Sequence, residues 1–152
     1  MANMTDQTRV NAILSALFTS STSFTITPGT GGGSAFTITP PYKLRLMTAQ
    51  GSNTSNGTEA TAVNCPGYTA GGSTLGSSAF GTASAGSQTN TNAVSWSATG
   101  AWSTITSIEI WDTAGTPLRW LQGALTSNIT GVANGDTVQF ATGSITINAS
   151  AW

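Results

Sequence analysis

The spacing of apolar positions changes character once along the chain. Over residues 4–20, MTDQTRVNAILSALFTS, the apolar residues Val10, Ile13, Leu14, Leu17 and Phe18 recur at i, i+3, i+4, i+7 and i+8. That spacing gathers them on one stripe of an α-helix. Thr5 or Asp6 is placed to cap its start, and the Thr19-Ser20-Ser21-Thr22 run ends it. The stripe has two uses open to it: covering one end of a sheet, or docking as an arm on a neighbouring subunit. Beyond residue 20 the period falls to two, the signature of strands. YKLRLMT (42–48) sets Leu44 and Leu46 against Lys43 and Arg45, a strand with one wet face. NAVSWSA, STITSIEIWDT, PLRWLQGAL and DTVQFATGSITINAS follow, separated by turn signals. TAGTP at 113–117 predicts a hairpin loop, and NGD at 134–136 a turn into the last run, where Gly143 marks a bulge or bend.

One phrase is written twice. FTITP occupies residues 24–28 and 36–40, with GTGGGSA between the copies. In each copy Phe and Ile fall on one side of an extended strand and the two Thr on the other. A proline closes each copy, removing a ladder donor. The pattern predicts two short strands around a Gly-rich loop. Residues 49–92 are mostly Gly, Ser, Thr, Asn and Ala. A structureless loop of that length is rare in a compact domain, so short strands are expected around Thr61–Asn64 and Thr74–Gly81. The pattern as a whole predicts a single all-β domain over 1–152, an antiparallel jelly roll or β-sandwich with one short N-terminal helix. Within it, 1–21 is the helix, 22–41 the FTITP arm or hairpin, and 42–152 the β core.

Charge narrows the function. Only 6% of the 152 residues are charged, against about 25% in an ordinary domain, and net charge is −1. A surface of hydroxyls and glycine repels its neighbours weakly and tolerates close packing against copies of itself or a partner. The few basic residues cannot drive nucleic-acid binding electrostatically. No window reaches the eighteen or so apolar residues that span a bilayer. The N-terminus lacks a basic segment leading into an apolar run, so a product made in the cytoplasm without its own export signal is expected.

The chain contains no histidine and a single cysteine. This removes Ser-His-Asp and Cys-His arrangements and the usual zinc sites. Glu109 and Asp112, three apart on a strand, point to opposite faces and form no catalytic pair. Paired carboxylates drawn from Glu59, Glu109, Asp112 and Asp136 remain the one enzymatic route that sequence leaves open. GTGGGSA has no Gly-Lys-Ser/Thr and opens no helix, so it is read as a connector rather than a phosphate loop. Cys65, in VNCPGY, is expected to be a small half-buried residue beside a turn. Trp96, Trp102, Trp111 and Trp120 suggest core packing first and sugar stacking second, while the terminal Trp152 is expected to dock on this chain or a neighbour. The balance is no enzyme, no metal and no cofactor.

The ordered series GTEATAVNCPGYTAGG, TNTNAVSWSATGAWSTITSIEIWDTAGTPLRWLQGAL and GVANGDTVQFATGSITI resembles a family of small virion proteins of tailed bacteriophages. Its members are variously labelled tail fibre, minor tail or capsid decoration proteins. The matching positions are Thr58-Glu59, Gly67-Tyr68, Trp102, Asp112, Gly123-Ala124-Leu125-Thr126 and Gly135-Asp136. The FTITP duplication departs from the pattern, standing where relatives usually have a short link. The resemblance implies a virion structural protein. The first expectation is a capsid cement protein, a homotrimer clamping the major capsid protein. The alternative is a tail-fibre or tail-tip module that binds a host receptor or glycan. Candidate contact residues are Val10, Ile13, Leu14, Leu17 and Phe18 on the helix, Phe24, Ile26, Phe36 and Ile38 in the repeat, and Trp152.

Overall fold

A computed structural model describes residues 7–19, 23–26, 35–76 and 78–149. One helix, α1 (Gln7–Phe18), precedes eleven strands among these residues. They are β1 (Phe24–Ile26), β2 (Phe36–Ile38), β3 (Tyr42–Ala49), β4 (Thr58–Glu59), β5 (Ser73–Gly76), β6 (Ser87–Thr89), β7 (Val94–Ser97), β8 (Ile105–Trp111), β9 (Arg119–Ile129), β10 (Thr137–Phe140) and β11 (Thr146–Asn148). All pairings are antiparallel. The fold is all-β, of the sandwich class, with one short helix.

The principal sheet runs β4-β3-β8-β9, with β5 sharing the β4 side of β3. Its centre is the β3–β8 pair, where Leu44 faces Ile110 and Leu46 faces Ile108. These alternate residues form the inner face, while Lys43, Arg45 and Met47 meet Trp111, Glu109 and Ser107 on the outer one. Two smaller ladders complete the core, β7 with β10 and β6 with β11. Val94, Trp96, Val138, Ile145 and Ile147 pack from these ladders into one cluster with Leu44, Leu46, Ile105 and Ile110. Fully burying each such side chain contributes on the order of 1.5–3 kcal/mol.

The helix belongs to the same core. Val10, Leu14 and Phe18 are buried, and the Phe18 ring lies 5.3 Å from Tyr42 and 5.8 Å from Phe80. Asn11 Oδ1 accepts from Gly86 N at 2.8 Å, and Gln88 Nε2 donates to Leu14 O at 3.3 Å. Tyr42 Oη donates to the Leu17 carbonyl, satisfying one of the acceptors a helix end leaves open. The cap residues Thr5 and Asp6 lie outside the described residues.

Two sequence expectations are corrected and one, the break at Gly143, is sharpened. Thr61–Asn64 is a turn: Asn64 Oδ1 accepts from Thr61 N at 2.7 Å and Cys65 N donates to Thr61 O at 2.8 Å. An asparagine that satisfies nearby backbone competes with strand pairing, and here it wins. The run at 137–148 is two strands, because the backbone turns between Ala141 and Ser144 with Gly143 at φ +79°, and β10 and β11 join different partners. The outer face of β3 is not wet: Lys43 and Arg45 are half-buried.

Candidate functional site: a closed face and an open edge

The outer face of the principal sheet is closed by a charge network. Arg119 begins β9, directly opposite Trp111. Its Nη1 donates to Glu109 Oε1 at 2.9 Å and to Ser55 O at 2.8 Å, and its Nη2 to Ser52 O at 2.6 Å. Gly57 N reaches the same Glu109 oxygen at 2.8 Å, and Trp111 Nε1 takes Oε2 at 2.9 Å. Glu109 is 1% exposed and Arg119 12%, so this ion pair and the loop it holds, residues 52–57, seal the face. A second pair sits alongside: Arg45 Nη1 bonds Glu59 Oε2 at 3.2 Å, and the guanidinium lies 4.1 Å from the centre of the Trp111 ring. Glu59 Oε1 accepts from Tyr68 Oη at 2.8 Å and Gly71 N at 2.6 Å.

The remaining carboxylates of the β core hold turns. Asp112 Oδ1 accepts from Leu118 N at 2.8 Å, closing the β8–β9 hairpin, and Oδ2 from Trp120 Nε1 at 3.2 Å. Asp136 Oδ2 accepts from Ala133 N at 2.8 Å. Each carboxylate therefore faces donors that fix a loop. Burial pushes both tyrosine phenols well above the usual range, aided at Tyr42 by the charge of Asp112 and at Tyr68 by Glu59. Cys65 is buried rather than half-buried, and burial likewise raises its thiol against a smaller lowering from a Ser103 backbone hydrogen bond. A buried thiol held protonated is a poor nucleophile.

The opposite flank is open. β9 pairs β8 on one side and no described strand on the other. Its register jumps: Ala124 faces Ser107, and the next pairing sets Ile129 against Ile105, so residues 125–128 leave the ladder. Beside that departure runs a groove of about 550 Å³, lined by apolar residues including Ile108, Leu125, Ile129, Phe140 and Ile145 and by Gly, Ala, Ser, Thr and Gln. A smaller recess of about 70 Å³, which shares Ile108, Gly123 and Ile145 with it, is also lined by Ile110, Leu121 and Ile147. No residue of 120–129 or 137–149 is charged.

This chain matches the family described as podophage GP4 fiber I protein gp80 over residues 3–148. The chain belongs to that family. A search among curated proteins found no match. As a member of the gp80 fibre family it is a structural protein of the phage virion. The positions that carried the resemblance prove to be the fold's fastenings. Glu59 and Tyr68 bond each other, Trp102 Nε1 donates to Pro66 O at 2.8 Å, and Asp112 closes a hairpin. Gly67 adopts φ +94°, and a Cβ there would collide with the Ser97 carbonyl. Gly123 to Thr126 lies on the open edge strand.

The candidate contact residues of this fibre-family chain separate into groups. Val10, Leu14, Phe18 and Ile38 lie in its own core, so the helix stripe covers the protein's own sheets; Leu17 is half-buried against them. Ile13, 39% exposed, stays on the surface. Phe24, Ile26 and Phe36 occupy the β1–β2 ladder, with their side chains outside the described set, and Trp152 lies outside the described residues. Trp96, Trp102 and Trp111 are buried and Trp120 is half-buried on Asp112, which leaves no broad indole face for a sugar among the described residues. Sequence reasoning missed the β9 edge. Residues 120–129 carry no charge and no Pro, but the sequence alone does not show that this strand stands last in the sheet.

Proposed function

We propose that this chain is a fibre-type structural subunit that functions by packing against copies of itself, without enzymatic activity or cofactor. One observation carries the reading: Glu59, Glu109, Asp112, Arg45 and Arg119 are tied up in bonds that hold loops and turns, while residues 120–129 of the longest strand are uncharged and pair with no described strand on their outer side. Such a surface fits a passive contact that many copies repeat. The carboxylates that an acid–base mechanism would need are engaged by Arg119, Arg45, Tyr68 and backbone donors. The fibre label of the family favours the tail over the shell.

A capsid cement, trimeric on the major capsid protein, rests on the same low-charge surface and differs in location. Copy number separates the two readings. Quantitative mass spectrometry of purified virions is expected to give a ratio to the major capsid subunit lower by more than an order of magnitude. A ratio near one would move the protein to the shell. Hydrolysis of host polysaccharide by the purified chain, lost on Glu109→Gln with folding retained, would overturn the non-enzymatic reading.

A further inference from the structure

Charges are few enough in this chain for each to be followed to its partner. Arg119 is held by Glu109 and Arg45 by Glu59, and Arg9 has a partner of its own. Asp112, 1% exposed, accepts from Leu118 N, Ala114 N and Trp120 Nε1. Two groups are left over. Lys43, half-buried on the outer face of β3, makes no hydrogen bond or ion pair with any described residue. Asp136 is the one acidic residue that is exposed among the described residues. Its Oδ2 accepts from Ala133 N at 2.8 Å, and its Oδ1 has no partner among those residues. The two differ in setting as well as in sign. Lys43 and Arg45 line a recess of about 210 Å³, together with small groups such as Gly71 and Ala114. Asp112 lines it too, but makes no ion pair with Lys43. Asp136 stands on an exposed turn, Ala133 to Asp136, closed by Asp136 N donating to Ala133 O at 3.2 Å. That turn has no side chain larger than Asn134. The groups also lie on different ladders, Lys43 in the principal sheet and Asp136 just before β10.

We infer that the Ala133–Asp136 turn of one copy seats in the Lys43–Arg45 recess of a second copy, with Asp136 Oδ1 facing the Lys43 ammonium. This rests on the self-assembly reading above and names one contact of it, apart from the β9 flank. The charges select the occupant. Glu59, Glu109 and Asp112 are each engaged within the chain, and Asp136 alone among the described carboxylates offers a free oxygen on an exposed turn. An ammonium that has given up part of its water gains more from a carboxylate than a fully solvated one. Arg45 is already fixed by Glu59 and the Trp111 ring, so its side of the recess is in place before contact. One half-exposed pair contributes little affinity alone. Its role is to set the register of copies that pack through other surface. Recess and turn are unlike surfaces, so the contact runs head to tail and closes as a ring or extends as a filament.

The test neutralises and then exchanges the two charges in the full chain. Lys43→Gln keeps most of the stem, and Asp136→Asn keeps an oxygen for Ala133 N. In sedimentation equilibrium at low salt each should raise the self-dissociation constant about fivefold, with unchanged circular dichroism. Asp6→Asn should leave it unmoved. Lys43→Glu and Asp136→Lys should each weaken assembly further, and the chain carrying both should regain the wild-type constant, because the pair is restored with its signs exchanged. If a reversal unfolds the chain, the neutral variants decide. The wild-type constant should also rise with salt more steeply than that of Lys43→Gln. Assembly unmoved by either neutral variant, a loss on Asp6→Asn instead, or a folded double variant as weak as the single reversals overturns the inference and leaves the self-assembly reading standing. A wild type that stays monomeric at every concentration overturns both.

Discussion

The two flanks of the principal sheet are built on opposite plans. On the β3–β8 outer face, Glu109, Arg119, Arg45 and Glu59 are drawn inward and each closes a loop or a turn. Along residues 120–129 of β9 there is no charge, and the side away from β8 pairs with no described strand. In a chain this poor in ionic residues, placing them inside makes them fasteners, and the surface that remains offers little resistance to a neighbour. The difference shows where the ionic groups contribute to stability, and on the proposed reading leaves the uncharged flank for contact.

The largest break in that comparison should come from Glu109→Ala. It leaves Arg119 buried without its partner and frees Gly57 N, and urea unfolding should show a loss of about 3–5 kcal/mol. Leu14→Ala follows at about 2–5 kcal/mol, since the side chain is wholly buried under the helix; a loss below 0.5 kcal/mol would return the stripe to the surface. Tyr68→Phe removes a hydroxyl that bonds both Glu59 and Leu46 N, and should cost about 1–3 kcal/mol. The phenols also set an alkaline limit. Because both folded values are raised above the unfolded value of about 10, their contribution is complete below that pH and is lost as pH rises through the folded values. Tyrosinate absorbance should therefore stay low past pH 10 and rise together with unfolding. The smallest effects belong to the open surface. Ile13→Ser, and Val63→Ser at a site 93% exposed, should leave unfolding within about 0.5 kcal/mol of the wild type.

Much of the fold was legible because its signals are local. The helical stripe, the strand at 42–48 and the TAGTP and NGD turns each depend on neighbouring residues, and each is present, although the strand's second face is not wet as read. What escaped depends on distant partners. β6 is Ser-Gln-Thr, polar by composition, yet Gln88 is buried beneath the helix. Asn90 reads as loop, but its side chain donates to Asn92 O and Ala141 O and accepts from Ile145 N, pinning the β10–β11 turn. The outer face of β3 looked wet because nothing in YKLRLMT announces that Trp111 and Glu59 will cover it. The same limit applies to the site: a carboxylate in the sequence does not disclose that an arginine ten residues along the chain already holds it. An unguarded edge is visible only once strand order shows which strand is last.

Inward-facing ions carry one more consequence, for the solvent. Between 0.01 M and 1 M salt the screening length contracts from about 30 Å to about 3 Å. Contacts that rely on exposed ions would change strength many-fold over that range. The Arg119–Glu109 pair is shielded by the protein itself, and residues 120–129 of β9 have no ions to screen. On the proposed reading, a contact made through such a surface would be nearly insensitive to salt.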